Sequence, residues 1–221
     1  MSGGERLGIF GGTFDPVHLA HLRAALEAAE ELELDRVLFM PCAEAPHGKV
    51  IGASVEHRLA MLELAVADNP RFAVYDLEAR LGGVSYTVRT LEHVRREHPG
   101  AQIFFLIGAD AFFHLHTWRQ PLKLFALTDF VVLARPKSPR GGILGYLQAK
   151  LDKSFYRDQQ GWARLPGAGG AKRVDTTLLS ISSTRLRRRA AEGRALTYLV
   201  PPAVEDYIKR MSLYRNSEGS P

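Results

Sequence analysis

GIFGGTFDPVHLAH, residues 8–21, decides the fold. Its apolar lead-in, residues 6–10, reads as a short buried strand, and Gly11-Gly12 as the tight turn that ends it. Pro16 presets a turn into a helix over 19–32, a stretch rich in Ala, Leu and Glu. Strand, glycine turn and helix open a βαβ unit, and the two glycines let the backbone come close to a ligand. His18 and His21 stand three apart at the helix start, so their imidazoles share one face. Helix-terminal N–H groups beside two imidazoles suit phosphate oxygens. Gly-Gly alone would be an ordinary turn; a Pro-bounded turn with two histidines at this spacing favours the phosphate site.

Outward from this segment, strands and helices alternate. Strands are expected at 36–40, stopped by Pro41, at 72–75, and in the continuous apolar runs 103–107 and 130–134, the pattern of parallel strands buried on both faces. Residues 43–53 read as a loop. Ser54 caps the next helix, with Val55, Leu59, Leu62 and Val66 at helical spacing. A further helix is expected over 86–96, with Val88, Leu91 and Val94 on one face. Residues 135–142 and 165–170 are Pro/Gly-rich loops. A short helix follows at 183–191, and a last one at 201–211 with a stripe of Val204, Tyr207, Ile208 and Met211. The class is α/β: a doubly wound, mostly parallel sheet in one domain over 1–215, with a helical C-terminal portion from about 181 and a frayed tail at 216–221.

Composition narrows the setting. Of 221 residues, 46% are hydrophobic, enough for a real core. The single cysteine, Cys42, allows no internal disulfide and no multi-cysteine zinc site. MSGGERLGIFGG lacks the basic start and long apolar stretch of a signal peptide, and no window approaches a membrane span; a cytoplasmic protein is expected. The net charge of +5 is concentrated after Ile181, which favours an anionic partner. The sequence leaves the oligomeric state open, a homodimer included.

The second chemical motif is ISSTRLR, residues 181–187. Ser182, Ser183 and Thr184 can cap a helix whose free N–H groups face an anion, and Arg187, one turn in, offers a planar fork to phosphate. The competing reading is an ordinary capped helix with a solvated basic face. A dinucleotide-binding dehydrogenase fits poorly: Gly11-Gly12-Thr13-Phe14-Asp15-Pro16 fails the G-x-G-x-x-G spacing, and no acid follows the second strand at Met40-Pro41-Cys42.

Both motifs resemble the nucleotidyltransferase superfamily, with its H-x-G-H and I-S-S-T-x-x-R signatures. More closely, the chain resembles bacterial nicotinate mononucleotide adenylyltransferases. GGTFDPVH, APHGK (45–49), HRLAML (57–62), SYTVRTL (85–91), LIGADAF (106–112), HTW (116–118), LARP (133–136) and ISSTRLR occur in that family's order. Ala20 stands where the family usually has Gly, and Gly48 is an extra residue between His47 and Lys49.

The resemblance implies transfer of AMP from ATP to nicotinate mononucleotide, with Mg²⁺ delivered with ATP and no dedicated metal site. It implies that His18 and His21 hold ATP phosphates beside Thr13, Phe14 and the Gly11-Gly12 backbone. Ser182, Ser183 and Arg187 would close over the outer phosphates, and Gly108 and Asp110 would contact ribose. His47, Lys49, Thr87, Asp110 and Trp118 would meet the mononucleotide, with Trp118 stacked on the pyridine ring. Hydrogen-bond donors to the ring carboxylate are expected from the Thr87 hydroxyl and backbone N–H groups near Trp118. Catalytic weight would fall on His18, His21 and Arg187. The alternatives are the same chemistry on nicotinamide mononucleotide or on an acceptor such as phosphopantetheine, a non-catalytic nucleotide sensor, and a nucleic-acid-binding protein using residues 185–189; neither nucleic acid nor membrane is an expected partner.

Overall fold

The computed structural model describes residues 4–44, 51–134 and 142–215. Strands β1 (Arg6–Gly12), β2 (Arg36–Pro41), β3 (Phe72–Val74), β4 (Gln102–Gly108), β5 (Asp129–Ala134) and β8 (Gly170–Asp175) pair in parallel. The hairpin β6 (Tyr156–Arg157) and β7 (Ala163–Arg164) adds antiparallel to β8. The sheet runs β3-β2-β1-β4-β5-β8-β7-β6. From β1 the chain winds to β2 and β3 on one side and resumes at β4 on the other. This is a doubly wound sheet whose direction reverses between β1 and β4, and such a reversal opens a crevice at the carboxyl ends of the two strands.

The alternation of each strand sorts its side chains into two cores. Phe10, Phe39, Phe104, Leu106, Val131 and Val174 face α1 (Leu19–Glu31), α2 (Val55–Val66), α8 (Ser183–Ala191) and α9 (Pro202–Arg210). Leu7, Ile9, Leu38, Met40, Phe105, Ile107 and Phe130 face the other layer, built from α3 (Leu77–Leu81), α4 (Thr87–Glu97), α5 (Ala109–Phe112), α6 (Pro121–Leu127) and α7 (Ile143–Lys150). Both faces of the sheet are therefore covered, which is why its strands read as apolar runs.

The structure corrects several sequence expectations. β1 continues through Gly11 and Gly12, and the turn falls at the following residues instead. β8 begins at the last residue of the loop expected at 165–170 and runs on where no strand is expected: Gly-Ala-Lys-Arg-Val-Asp has no apolar run, and the sheet supplies the pairing that the pattern lacks. The short elements β6, β7, α3, α5, α6 and α7 were not anticipated either. On α2, Arg58 takes the inward position and Leu59 is only half-buried. On the last helix Met211 is exposed, outside the buried stripe of Val204 and Ile208. The loop expected at 135–142 lies outside the described residues except for Gly142. Among the described residues no helix is long and apolar enough to cross a membrane.

Candidate active site

The crevice between β1 and β4 holds a cavity of about 350 Å³. Six of the expected residues line it together: Gly11, Gly12, Thr13, Thr87, Gly108 and Trp118. Neither Gly11 nor Gly12 has a positive φ, so a left-handed turn is not the reason for glycine. The reason is close approach: a Cβ on Gly11 would lie 2.7 Å from Phe105 Cζ, and one on Gly12 3.0 Å from Phe14 Cζ. Phe14 corrects an expectation. Its ring is 2% exposed and packs edge-on to Phe10 and His21, so the side chain supports the site from the core and leaves only its backbone for a nucleotide.

His18 is the N-cap of α1 in extended conformation, and it turns its ring onto that of His21. The two imidazoles stack with centroids 3.6 Å apart and planes 11° from parallel. The backbone N–H of His18 donates to His21 Nδ1 at 3.3 Å. An Nδ1 that accepts leaves the proton of the neutral ring on Nε2, which is then the ring's donor nitrogen. His18 is 3% exposed and His21 half-buried, which makes His21 the more reachable of the pair. The helix-start amides are less open than the motif suggests, because Leu19 N–H already donates to Leu199 O at 3.1 Å.

ISSTRLR folds against this turn. Ser182 caps α8 by accepting the Arg185 N–H, which leaves its own hydroxyl proton for a ligand. Ser183 donates its hydroxyl to Pro16 O at 3.0 Å, so this serine ties the two motifs together and has no proton left to give a phosphate. Arg187 Nη1 donates to Asp15 O at 2.8 Å and lies 3.3 Å from the Asp15 carboxylate. Its Nε and Nη2 have no partner among the described residues.

At the other end of the cavity, Trp118 packs on the apolar layer beneath α4 and α6. Three backbone donors near it are engaged: Trp118 N–H to Leu115 O, Thr117 N–H to His114 O and His116 N–H to Tyr146 Oη; the Arg119 N–H has no partner among the described residues. Further open donors stand at the start of α4. Tyr86 provides no side-chain cap, and the N–H groups of Thr87 and Val88 have no partner among the described residues. Arg119 stacks over the Tyr86 ring at 4.9 Å and sets a cation on the rim. Asp110 is exposed in the first turn of α5, and its carboxylate is unengaged among the described residues.

Comparison with known proteins decides the family. A cytidylyltransferase-like family model matches residues 9–189. A probable nicotinate-nucleotide adenylyltransferase of Syntrophotalea carbinolica is 44% identical over 217 residues, 97% of this chain and 100% of that one. One of Geobacter sp. strain M21 is 42% identical over 212 residues, 95% and 98% of the two chains. The chain belongs to the nicotinate-nucleotide adenylyltransferase family. The Plasmodium falciparum nicotinic acid mononucleotide adenylyltransferase in complex with NaAD superposes with a TM-score of 0.72 at 20% identity, covering 95% of this chain and 97% of that one, which establishes the shared fold.

Three residues of this nicotinate-nucleotide adenylyltransferase family member escaped the sequence reading. Asp15, 1% exposed, joins the first turn to residues 52–53 and to α8. Arg58, also 1% exposed, donates to the carbonyls of Ala53, Thr13, Cys42 and Ala43, fixing the loops that follow β1 and β2. Its signal was an arginine inside the apolar stripe of Val55, Leu62 and Val66. Glu78 lines the cavity and accepts from Thr90 Oγ1 at 2.7 Å; burial pushes its carboxyl above the usual range. Cys42 lines it as well, and burial pushes its thiol up. His47 and Lys49 lie outside the described residues. No cluster of three or more His, Cys, Asp or Glu suited to a metal exists among the described residues.

Proposed function

We propose that this family member transfers AMP from ATP to nicotinate mononucleotide, giving nicotinate adenine dinucleotide and pyrophosphate in the cytoplasm. The observation that carries the reading is the Arg187–Asp15 contact, which joins ISSTRLR to the turn whose Gly11, Gly12 and Thr13 line a cavity with Thr87 and Trp118.

The 5′-phosphate of the acceptor attacks the α-phosphorus of ATP in line. One P–O bond forms and the bond to the β-phosphate oxygen breaks, with the electron pair leaving on pyrophosphate. A phosphate monoester with a second pKa of about 6 is already a nucleophile at neutral pH, so the protein need supply no base. Its work is positioning and charge stabilisation. His21 donates from Nε2 to phosphate oxygens, and His18 holds that ring by stacking. Ser182 and the free corners of Arg187 meet the outer phosphates, and Gly108 with Asp110 the ribose. Thr87 and Trp118 hold the pyridine ring. Mg²⁺ would arrive bound to ATP, whose phosphate oxygens are hard ligands suited to it.

Incubation with ATP labelled in the α-phosphate and nicotinate mononucleotide tests the reading. The label should appear in a dinucleotide, with one equivalent of pyrophosphate. Release of phosphate without label transfer, or binding with no turnover, would overturn it.

A further inference from the structure

The chain does not end its work at α9. Leu213 N–H returns to Ile208 O, and the turn that follows α9 contains two non-glycine residues in left-handed backbone, Ser212 at φ 52° and Tyr214 at φ 63°. That region is unfavourable for residues with a Cβ and persists where surrounding contacts demand it. Here the contact is with the site: Tyr214 Oη donates to Asp15 Oδ1 at 2.8 Å. Burial and the adjacent Asp15 carboxylate push the phenol far above its usual range, so it stays a donor at any working pH.

The Asp15 carboxylate thus receives three hydrogen bonds and one ion-pair contact. Oδ1 takes the Ala53 N–H at 3.1 Å and the Tyr214 hydroxyl; Oδ2 takes the Gly52 N–H at 2.7 Å and faces Arg187 Nη1 at 3.3 Å. Arg187 and Tyr214 also converge on one backbone position. A Cβ on Gly52 would lie 2.9 Å from Arg187 Cδ and 3.2 Å from the Tyr214 ring, so glycine there lets both side chains reach Asp15.

We propose that Tyr214 is a positioning residue for Arg187, acting through the Asp15 carboxylate, so that the C-terminal turn takes part in ATP binding. The proposal rests on the reading that Arg187 meets ATP phosphates. The direction of the Nε and Nη2 corners is set by the two anchors of Nη1, and one of those anchors is a carboxylate whose plane the Tyr214 hydroxyl helps to fix. Without that hydroxyl, Oδ1 keeps a single donor, the carboxylate can rotate, and the guanidinium fork loses its aim.

Tyr214→Phe removes the hydroxyl and keeps the ring against Gly52. With the acceptor saturating, KM for ATP should rise about 5-fold while kcat stays within about 2-fold and KM for the acceptor is unchanged. In an Arg187→Ala background the same change should add less than about 1.5-fold, because its route has been removed. An unchanged KM for ATP in Tyr214→Phe would overturn the proposal. So would an equal loss toward both substrates, the mark of a merely structural role, or an undiminished effect in the Arg187→Ala background. Arg187→Ala with wild-type ATP kinetics would instead refute the placement of Arg187 at the phosphates, and the proposal with it.

Discussion

Arg187 Nη1 lies 2.8 Å from the carbonyl oxygen of Asp15 and 3.3 Å from its carboxylate, joining two motifs 172 residues apart in the chain. With the Ser183 hydroxyl on Pro16 O, these contacts join a glycine turn and a basic helix into a single surface. Neither segment makes that surface alone: the turn has imidazoles but no guanidinium, and α8 carries arginines that could equally face solvent.

Arg187→Ala should therefore reduce kcat/KM for ATP at least about 10-fold more than Arg189→Ala. Arg189 points about 160° away around the helix, and it donates from Nε and Nη2 to Ala195 O at 3.1 and 2.9 Å. Steady-state kinetics on the two variants decide the matter. Equal losses would mean that the basic run acts only as a diffuse field.

His21→Ala should lower turnover by more than about 100-fold with the fold intact, because it removes a donor aimed at charge that develops in the transition state. His18→Ala should fall comparably, since it removes the ring stacked at 3.6 Å that orients His21. Circular dichroism and kcat measured together check this. Near wild-type turnover in either variant would contradict the phosphate assignment.

Glu78 gives a pH prediction. Burial raises its carboxyl above the usual value, despite hydrogen bonds from Ser85 and Thr90 and the charge of Arg58. An acid with a raised folded pKa binds its proton more tightly folded than unfolded, so its effect is most favourable at low pH. Stability is lost as pH rises from the unfolded value, about 4.3, through the raised folded one. Glu78→Gln has no such titration, so its fall in Tm between pH 4.5 and 7.5 should be smaller than wild type. An identical fall in the two proteins would show that Glu78 does not titrate differently on folding.

The sequence made some of this legible and hid the rest for physical reasons. The apolar runs of β1, β4 and β5 and the histidine pair stand on local pattern, and local pattern is what a sequence displays. Tyr214, Asp15 and Gly52 acquire meaning only when three distant segments meet, and nothing in FDP, VIGAS or SLYR announces the meeting. Arg58 went unassigned because a guanidinium satisfied by four backbone carbonyls has no partner side chain in the sequence, and its place inside the apolar stripe of α2 was the single sign of its burial. Around Trp118 the 3₁₀ turn over Leu115–Thr117, too short to show periodicity, engages the N–H groups of Thr117 and Trp118, and Tyr146 takes that of His116, which the sequence pattern could not display.

The central claim is that the cavity accepts a pyridine mononucleotide carrying a carboxylate. The two candidate acceptors differ only in carboxylate against carboxamide. Donors that suit both carboxylate oxygens, the Thr87 hydroxyl and the open N–H groups at the start of α4, would leave one facing an amide NH₂ that cannot accept. A buried donor left unpaired costs about 1–3 kcal/mol, roughly 5- to 150-fold. The most direct test is kcat/KM for nicotinate mononucleotide against nicotinamide mononucleotide with ATP fixed. A preference for the acid of at least about 10-fold, narrowed by Thr87→Val and left in place by Trp118→Ala, is the predicted result; equal use of the two, or preference for the amide, would contradict it.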